Sequence, residues 1–420
     1  MAPNSPSSKN SDSLEGQRAN LEQQYRDFQA KQLSLDITRG KPSSSQLDLA
    51  NELLSLPGDR YVLEGTDTRN YGGLDGLPPM KTLFGEILQV PADNIVVGGN
   101  SSLNMMYDTL ARGCQFGVPD GDGPWHRLES RKFICPTPGY DRHFKVSEHL
   151  GFELVMVDIN EAGPDMDQVE SLVANDHDIK GIWCVPKYNN PTGCCYSQET
   201  VERLAQMSAA SDFRIIWDNA YAEHHLGDDR PELANIMELC IAAGNANRTI
   251  EFASTSKISH PGSGVACLAA SDENIADIKA HLSVQTIGPD KVNQMRHLQL
   301  FKDVQGLRDH MKNHAALVRP KFDLVDQVLE RELGGLGIAT WTKPKGGYFI
   351  SLDAPDGTAK KIVQLAVDAG VKLTGAGAPF PYGHDPRDRN IRIAPTFPVL
   401  EEVGLATEVL ATCIKLAASA

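Results

Sequence analysis

The sequence predicts an α/β fold, and two observations support that prediction. Short apolar segments with the length and β-branched content of buried strands recur along the chain, and most are separated by polar-apolar stretches of helical period. The chain of 420 residues is also long enough to bury a large core and divide it, since single cores stop growing near about 250–300 residues. Such alternation predicts a mostly parallel sheet with helices on both faces.

Seven apolar segments are the predicted strands of a large domain that covers roughly residues 60–300. In chain order they read NIVVGG, RKFICP, FELVMVDI, IKGIWCVP, FRIIWDN, RTIEFAS and GVACLAAS. The charged stretch from Lys291 to Glu332 favours a long helix that leads out of this domain. After it come GGYFISLD, the helical AKKIVQLAVDAG, VKLTG and NIRIAPT, an α+β pattern that predicts a smaller second domain.

The N-terminal segment has two parts. Residues 1–17 are rich in Ser, Asn and Pro and are predicted to be disordered. The following LEGQRANLEQQYRDFQAKQL has the period of an amphipathic helix, which would complete the smaller domain. That domain is therefore predicted to comprise residues 18–59 and 301–420.

Charge and composition argue against several classes of function. The net charge of −15 and the pI near 5.3 disfavour a nucleic-acid partner, because phosphate binding relies on clustered Lys and Arg. No apolar run approaches the ~18 residues of a membrane span, and the start lacks the apolar core of a signal peptide, so the cytoplasm is the expected compartment. The eight cysteines form no CxxC pair, and the adjacent Cys194 and Cys195 are not expected to bind a metal or form a disulfide.

Ligands of open α/β sheets bind beyond the carboxyl ends of the strands, and five predicted strand ends carry unusual residues. The first is VVGGNSSLNMMYDTLARG, where Gly99, Asn100 and Ser101 stand between a strand and an apolar-periodic helix. Free backbone N–H groups at such a helix start can bind a phosphate. An ordinary βα turn capped by Asn or Ser is the alternative interpretation.

The second and third strand ends carry an aromatic ring and an amide. In CPTPGYDRHFK, two prolines and a glycine form a rigid turn that projects Tyr140, whose ring would either stack on a flat cofactor or pack on the surface. In VPKYNNPTGCCYS, Asn190 precedes a proline directly after an apolar strand, so that its amide would point outward as a donor. As a bare turn, NPTG is a common signal.

The last two strand ends carry a carboxylate and an amine. Asp218 ends the strongly apolar strand of FRIIWDNAYAEHHL, where it would need a cationic partner unless it caps the next helix. Tyr221, three residues on, would lie beside it. Lys257 stands in ASTSKISHPGSGVACLAA, between hydroxyl residues that include Ser254, a setting that a solvated lysine does not need.

One cofactor would explain all five strand ends. A lysine amine forms a Schiff base with an aldehyde, a phosphate needs helix N–H groups and hydroxyls, and a protonated pyridine nitrogen needs a carboxylate. Pyridoxal 5'-phosphate (PLP) presents all three groups. The sequence therefore predicts a PLP site, and it predicts no metal site.

The motif set resembles that of the fold type I PLP-dependent aminotransferases, in the aspartate aminotransferase family. In chain order the motifs are NYGGLDGLP, GGNSS, NNPTG, DNAY, STSK and a late IRIA. Within that family LDITRGKPS, PTPGYDRHF and STSKISHPGSGVA are most similar to subgroup Ic, which is related to the aminotransferase domain of MocR-type regulators. The resemblance covers the chain from about residue 30 to the end. It implies the PLP-dependent transferase fold type I, with a mostly parallel seven-stranded sheet in the large domain.

The resemblance also implies a role for each position around the cofactor. Lys257 would carry PLP as an aldimine and move the proton, while Asp218 would pair with the pyridinium nitrogen. Asn190 and Tyr221 would bond to the phenolate oxygen and lower the pKa of the aldimine. Tyr140 would stack on the ring. The phosphate would be held by Gly99, Asn100, Ser101 and Ser254.

Three further positions are implied for the substrates and the partner subunit. Arg392 in NIRIAPT would bind the α-carboxylate with its two-pronged guanidinium, and Asn190 would also touch that group. Gly40 in TRGKP would lie over the substrate. Tyr71 in NYGGLDGLP would reach the phosphate of the neighbouring subunit, which implies a homodimer with shared active sites.

Two features of the site stay open at the level of the sequence. Gly264 or a neighbour stands where most of the family has an arginine that clamps the phosphate, so other donors must balance that charge. The group that binds a side-chain carboxylate is also undetermined. Its candidates are the cations near motifs, Arg39, Lys41, Arg142 and Lys187.

The predicted function is amino transfer by ping-pong chemistry, with aspartate or glutamate as donor and 2-oxoglutarate as acceptor. Another PLP reaction on the same fold, β-elimination or decarboxylation, is the first alternative. A PLP-sensing regulator is the second, but it would need a basic DNA-binding domain of ~70 residues. Only about 30 residues, rich in Ser and not basic, precede LDITRGKP.

Overall fold

The computed structural model describes residues 8–419, with side chains from residue 18 onward. The α-helices are α1 (Ser8–Ala30), α2 (Ser44–Asp48), α3 (Pro78–Leu88), α4 (Ser102–Phe116), α5 (Asp141–His149), α6 (Met166–Asn175), α7 (Gln198–Gln206), α8 (Ile236–Ala242), α9 (Asp272–Gln285), α10 (Lys291–Phe301), α11 (Val304–Leu333), α12 (Ala359–Asp368) and α13 (Leu400–Ala418). The strands are β1 (Leu35–Asp36), β2 (Val62–Leu63), β3 (Thr66–Asp67), β4 (Ile95–Val97), β5 (Lys132–Thr137), β6 (Glu153–Asn160), β7 (Gly163–Pro164), β8 (Ile179–Cys184), β9 (Arg214–Asp218), β10 (Thr249–Ser254), β11 (Ala266–Ala270), β12 (Thr340–Trp341), β13 (Ile350–Asp353), β14 (Val371–Lys372) and β15 (Asn390–Ile393).

A large sheet forms the centre of the fold, with the strand order β4-β11-β10-β9-β8-β5-β6-β7. The four pairings from β10 through to β6 are parallel, and the pairings at both ends are antiparallel. All seven predicted segments form strands of this sheet, which confirms the α/β class. The sheet gains one edge strand that was not predicted, β7, because a glycine and a proline carry no strand signal.

Two hydrophobic clusters cover the two faces of this sheet. Successive strand residues point to opposite faces, so Phe133 packs in one cluster and Ile134 in the other. Helices α4, α5 and α9 complete the first cluster, and α6, α7 and α8 complete the second. Strands β4, β8, β9, β10 and β11 are therefore buried on both sides, as their near-continuous apolar sequences predict, whereas β6 near the edge exposes alternate residues.

A separate cluster joins the two ends of the chain. Phe28 and Leu35 pack there with α11, α12 and α13 and with the three-stranded sheet β12-β13-β15. Strand β1 pairs in parallel with β14, which ties the N-terminal segment to the C-terminal third. This shared core supports the predicted smaller domain, whose bounds at 18–59 and 301–420 stay a prediction, as do those of the large domain at 60–300.

The predicted long helix between Lys291 and Glu332 consists of α10 and α11. Lys302, between them, has a φ of +69°, a conformation that ends α10. Asp303 then caps α11 by accepting a hydrogen bond from the Gly306 N–H at 2.8 Å. An aspartate is a common residue at the start of a helix, so Asp303 indicates a new helix here. In a segment with so many charged residues this indication was not recognised.

The predicted disordered start lies largely outside the described residues. Residues 1–7 are not described, and for residues 8–17 only a helical backbone is. Helix α1 continues to Ala30 and contains most of the amphipathic segment. Among the helices of residues 8–419, none combines the length and the apolar character that a membrane crossing requires.

Glu251 is an acidic residue inside the central strand β10. Its side chain is 3% exposed, and burial raises its pKa to about 8. The folded protein thus keeps a proton that the unfolded chain loses above about pH 4.5, so this residue destabilises the fold progressively as the pH rises towards 8. We expect Glu251→Gln to raise the free energy of unfolding by about 3–5 kcal/mol at pH 8 and by little at pH 5.

Thermal unfolding of the wild type and of Glu251→Gln between pH 5 and pH 8 measures this effect. The difference between the two midpoint temperatures should widen with pH. Glu153→Gln, an exposed position on β6, controls for the loss of one negative charge. A midpoint difference that is constant across the pH range would show that Glu251 does not hold a proton in the folded state.

Candidate active site

A cavity of about 570 Å³ lies at the carboxyl ends of the parallel strands. Seven of the predicted site residues line it, and they come from distant parts of the chain: Gly40, Tyr140, Asn190, Asp218, Tyr221, Lys257 and Arg392. Asn190 follows β8, Asp218 ends β9 and Lys257 follows β10, so three adjacent strands position these three side chains.

Asp218 lies at the base of this cavity with half of its carboxylate unpaired. Its Oδ2 is 3.0 Å from Nε2 of His143, and both side chains are buried. Its Oδ1 is buried too and has no hydrogen-bond partner among the described residues. A buried carboxylate oxygen without a donor is costly, so the site is suited to a ligand that brings a cationic N–H to this point.

His143 contacts a candidate site residue, Asp218, and the sequence interpretation missed it. It lies one helical turn after Tyr140 on α5, and its ring stacks on Trp183 with centroids 4.2 Å apart and an interplanar angle of 8°. The Tyr140 ring meets it edge-on at 4.8 Å. His143, itself packed between these two rings, therefore holds Asp218 in place. The only sequence signal was the spacing of three from Tyr140 within PTPGYDRHF.

Lys257 brings a primary amine to the same cavity. Burial lowers the pKa of its ammonium, and the charge of Asp218 opposes that shift. Its Nζ is 4.9 Å from the centre of the Tyr221 ring. Its backbone oxygen accepts a hydrogen bond from Tyr348 Oη at 3.3 Å and lies 3.4 Å from His224 Nε2. A held lysine of lowered pKa is a competent nucleophile for a carbonyl group.

Two tyrosines, the half-buried Tyr140 and the buried Tyr221, line the cavity with the amine and the carboxylate. Burial raises the pKa of Tyr140 to about 12, with Asp218 and Asp141 acting in the same direction. Burial also raises the pKa of Tyr221 well above its ordinary value. Both hydroxyls therefore keep their protons at neutral pH and are available as donors.

Arg392 forms the opposite wall of the cavity. Its Nη1 donates to Asp141 Oδ1 at 2.8 Å and to Asn190 Oδ1 at 3.3 Å, and its Nη2 donates to Thr374 Oγ1 at 3.4 Å. The guanidinium carbon lies 5.0 Å from the centre of the Phe349 ring. Strand β15 supplies this arginine from the C-terminal region, and β13 pairs with it.

Gly40 closes the cavity near the same aromatic ring. A Cβ atom at this position would come within 2.4 Å of Phe349 Cζ, so a side chain here would displace the ring. The ring in turn lies against Arg392, so the packing leaves room for glycine alone.

The predicted phosphate-binding residues lie beside Lys257 and outside the cavity lining. Gly99, Asn100 and Ser101 precede α4, a helix of 15 residues. This turn packs on the segment after Lys257, because the Gly99 oxygen accepts from the Ala266 N–H at 2.8 Å. The Ser254 and Ser256 hydroxyls, which precede Lys257, are 2.7 Å apart. The start of α4 is therefore a neighbour of the end of β10, and the phosphate role of these residues stays a prediction.

Comparison with known proteins decides the family. The family model described as aspartate amino-transferase matches residues 9–420. The chain is 53% identical to a putative aminotransferase of Mycolicibacterium smegmatis, over 97% of this chain and 96% of that protein. The chain belongs to the aspartate aminotransferase family. It is accordingly an aminotransferase.

Solved structures of aminotransferases share the fold of this family member. An aspartate transaminase from Corynebacterium glutamicum superimposes with a TM-score of 0.94 at 46% identity, over 97% of each chain. The α-aminoadipate aminotransferase LysN of Thermus thermophilus, solved with N-(5'-phosphopyridoxyl)-L-leucine, superimposes with a TM-score of 0.76 over 92% of this chain and 93% of that one. At 21% identity LysN shows the fold alone.

Two positions of this aminotransferase concern the anion site and the outer surface. A Cβ atom at Gly264 would lie 3.1 Å from the Ser256 backbone and 3.3 Å from the Asn100 oxygen, so this close packing favours glycine at the position. Tyr71 is 82% exposed and lies outside the cavity. The buried Lys291 ammonium holds the Tyr71 loop by donating to the Asn70 oxygen at 2.8 Å.

Among residues 18–419, no group of three or more His, Cys, Asp or Glu side chains could hold an ion. Cys194 and Cys195 are both unpaired in this part of the chain.

Proposed function

We propose that this aminotransferase uses PLP and transfers the amino group of aspartate or glutamate to 2-oxoglutarate in a ping-pong cycle. The observation that carries the proposal is the unpaired, buried Oδ1 of Asp218, which shares one cavity with the amine of Lys257. The ring nitrogen of PLP would give that oxygen its missing donor. When bound, PLP withdraws electrons from the Cα of an amino acid.

Each residue around that cofactor would have its own role. Asp218, held by His143, would keep the ring nitrogen protonated. Lys257 would hold the cofactor covalently, and its amine, whose ammonium pKa is lowered by burial, would move the proton at the substrate Cα. Asn190 and Tyr221 would bond to the phenolate oxygen, and Tyr140 would cover the ring. The phosphate would be held by Gly99, Asn100, Ser101 and Ser254.

The substrate half of the cavity supports an acidic substrate. Arg392 would bind the α-carboxylate, with Asn190 beside it and Gly40 over the substrate. Three further cations line the same cavity, namely Arg39, Lys41 and Arg142, whereas Lys187 lines a different one. This distribution favours the first three as partners of a second carboxylate.

We further propose a homodimer in which Tyr71 of each subunit completes the anion site of the other. Its exposed position on a loop anchored by Lys291 supports this arrangement. The motifs LDITRGKPS, PTPGYDRHF and STSKISHPGSGVA support a place in subgroup Ic.

Product analysis tests the proposed reaction. The purified holoenzyme, supplied with aspartate and 2-oxoglutarate, should form oxaloacetate and glutamate in equal amounts. Aspartate without an oxo acid should yield no more than one oxaloacetate per active site. Sustained release of ammonia or carbon dioxide from the amino acid alone would instead identify β-elimination or decarboxylation and overturn the proposal.

The cations Arg39 and Arg142 that line the cavity lead to a prediction on substrate preference. We expect the double variant Arg39→Gln and Arg142→Gln to lose about 10–100-fold in kcat/KM for aspartate, the range of one or two charge-assisted hydrogen bonds. The value for alanine, which has no second carboxylate, should stay within about threefold. Lys187→Gln, outside the cavity, is the control. Equal losses of kcat/KM for aspartate and alanine would show that these arginines do not bind the side-chain carboxylate of the substrate.

A further inference from the structure

Asp141 supplies a carboxylate to the arginine that faces the substrate. Its Oδ1 is 2.8 Å from Arg392 Nη1, while the other partners of that guanidinium, Asn190 and Thr374, are neutral and lie farther away, at 3.3 and 3.4 Å. The Arg392 side chain is only 7% exposed. In the ligand-free site a nearly dry guanidinium therefore has an anionic partner, and that partner belongs to the chain itself.

A buried arginine strongly favours one anionic partner, and two carboxylates at one guanidinium repel each other. The α-carboxylate of a substrate would bring the second one. Substrate binding at Arg392 would therefore exchange one carboxylate for another, so that the free energy gained is the difference between the two ion pairs. Ligands without a carboxylate would leave the Asp141 pair in place.

The position of Asp141 allows this exchange. The residue is the first of α5, and its side chain is 32% exposed, in contrast with Arg392. The unpaired N–H groups of the first helical turn stabilise a carboxylate there. The neighbouring Arg142 is exposed and lines the same cavity. After displacement, the Asp141 carboxylate can therefore turn to these N–H groups or to Arg142 by a change of its own rotamer.

We propose that Asp141 occupies the carboxylate site of Arg392 in the ligand-free enzyme and is displaced by the substrate. This inference rests on the proposed function in one respect, the assignment of Arg392 to the α-carboxylate. Competition from Asp141 then lowers the affinity of Arg392 for every carboxylate ligand by the same factor, for amino acids and oxo acids alike. It also protects the buried arginine from being left unpaired between turnovers.

Asp141→Asn tests the exchange directly, because the amide keeps an oxygen for Nη1 and removes the charge. We expect the dissociation constant of succinate, a dicarboxylate without an amino group, to fall about tenfold in the holoenzyme, since no internal carboxylate competes. We also expect the midpoint of thermal unfolding to fall without ligand and to recover with succinate. Calorimetry and thermal scans provide the two readouts, and neither depends on turnover.

Matched variants separate the possible outcomes. Glu148→Gln removes a charge from the same helix without touching Arg392 and should leave the affinity unchanged. Arg392→Met should abolish succinate binding, and Arg392→Lys serves if the methionine variant does not fold. If Asp141→Asn bound succinate more weakly than the wild type or equally well, and the Arg392 variant lost binding, the exchange would be overturned. The assignment of Arg392 to the carboxylate would stand. Succinate binding that ignores Arg392 would overturn both, while amino transfer at Lys257 remains tested separately by its products.

Discussion

Replacing Lys257 with alanine is expected to lower kcat for amino transfer by more than about 10⁴-fold, the upper range of a single acid-base group, since this residue also attaches the cofactor. Its Nζ lies in the cavity beside Asp218 and Tyr221. The variant should also lose the visible absorption band of PLP joined to a lysine. Single-turnover assays and spectra of the reconstituted protein measure the two effects.

Lys41 provides the matched control, because it is the other lysine of the described cavity lining. Its Nζ lies 3.7 Å from the centre of the Phe397 ring, away from Asp218. Lys41→Ala should keep the visible band of the attached cofactor. If Lys257→Ala kept that band and Lys41→Ala lost it, the attachment point would be Lys41 and the assignment of Lys257 would be wrong.

Asp218→Asn is expected to lower kcat by about 10²–10³-fold, the effect of removing one preorganised electrostatic group. An amide has no charge to keep the ring nitrogen of PLP protonated. It would also leave His143 facing a neutral partner inside the protein. Steady-state kinetics with aspartate and 2-oxoglutarate measure the loss, which should appear in kcat for both half-reactions.

Asp212→Asn controls for the loss of a buried aspartate. Asp212 lies just before the opposite end of β9, where it pairs with Lys180 at 2.8 Å and accepts from Trp125. This control should lower the unfolding temperature and leave kcat of the folded fraction near that of the wild type. If the two variants lost activity only in proportion to their lost stability, Asp218 would have a structural role alone.

The strand ends of the fold were predictable because their residues are chemically out of place. Asp218 ends one apolar strand and Lys257 lies shortly after another, and parallel strands bring their carboxyl ends to one edge of the sheet. Local sequence therefore sufficed to bring these two residues together. The same logic placed Asn190 and Tyr140 at that edge.

The contacts that the sequence did not predict join residues far apart in the chain or hidden in apolar runs. Asp141 and Arg392 are 251 positions apart, and only the folded chain brings them within hydrogen-bond distance. From the sequence His143 is an ordinary polar position of a helix, and only the structure shows its contact with Asp218. The burial of Glu251 within the apolar segment TIEFA was not predicted, because a strand pattern does not show which side chain lacks a hydrogen-bond partner.

The most direct test of the central claim is the visible absorbance of the purified protein with PLP. The account predicts an absorption band of lysine-bound PLP in the wild type, which bleaches when aspartate is added and returns with 2-oxoglutarate. Lys257→Ala should show neither the band nor the cycle. A wild-type protein that never develops the band would contradict the assignment of Asp218 and Lys257 as a cofactor site.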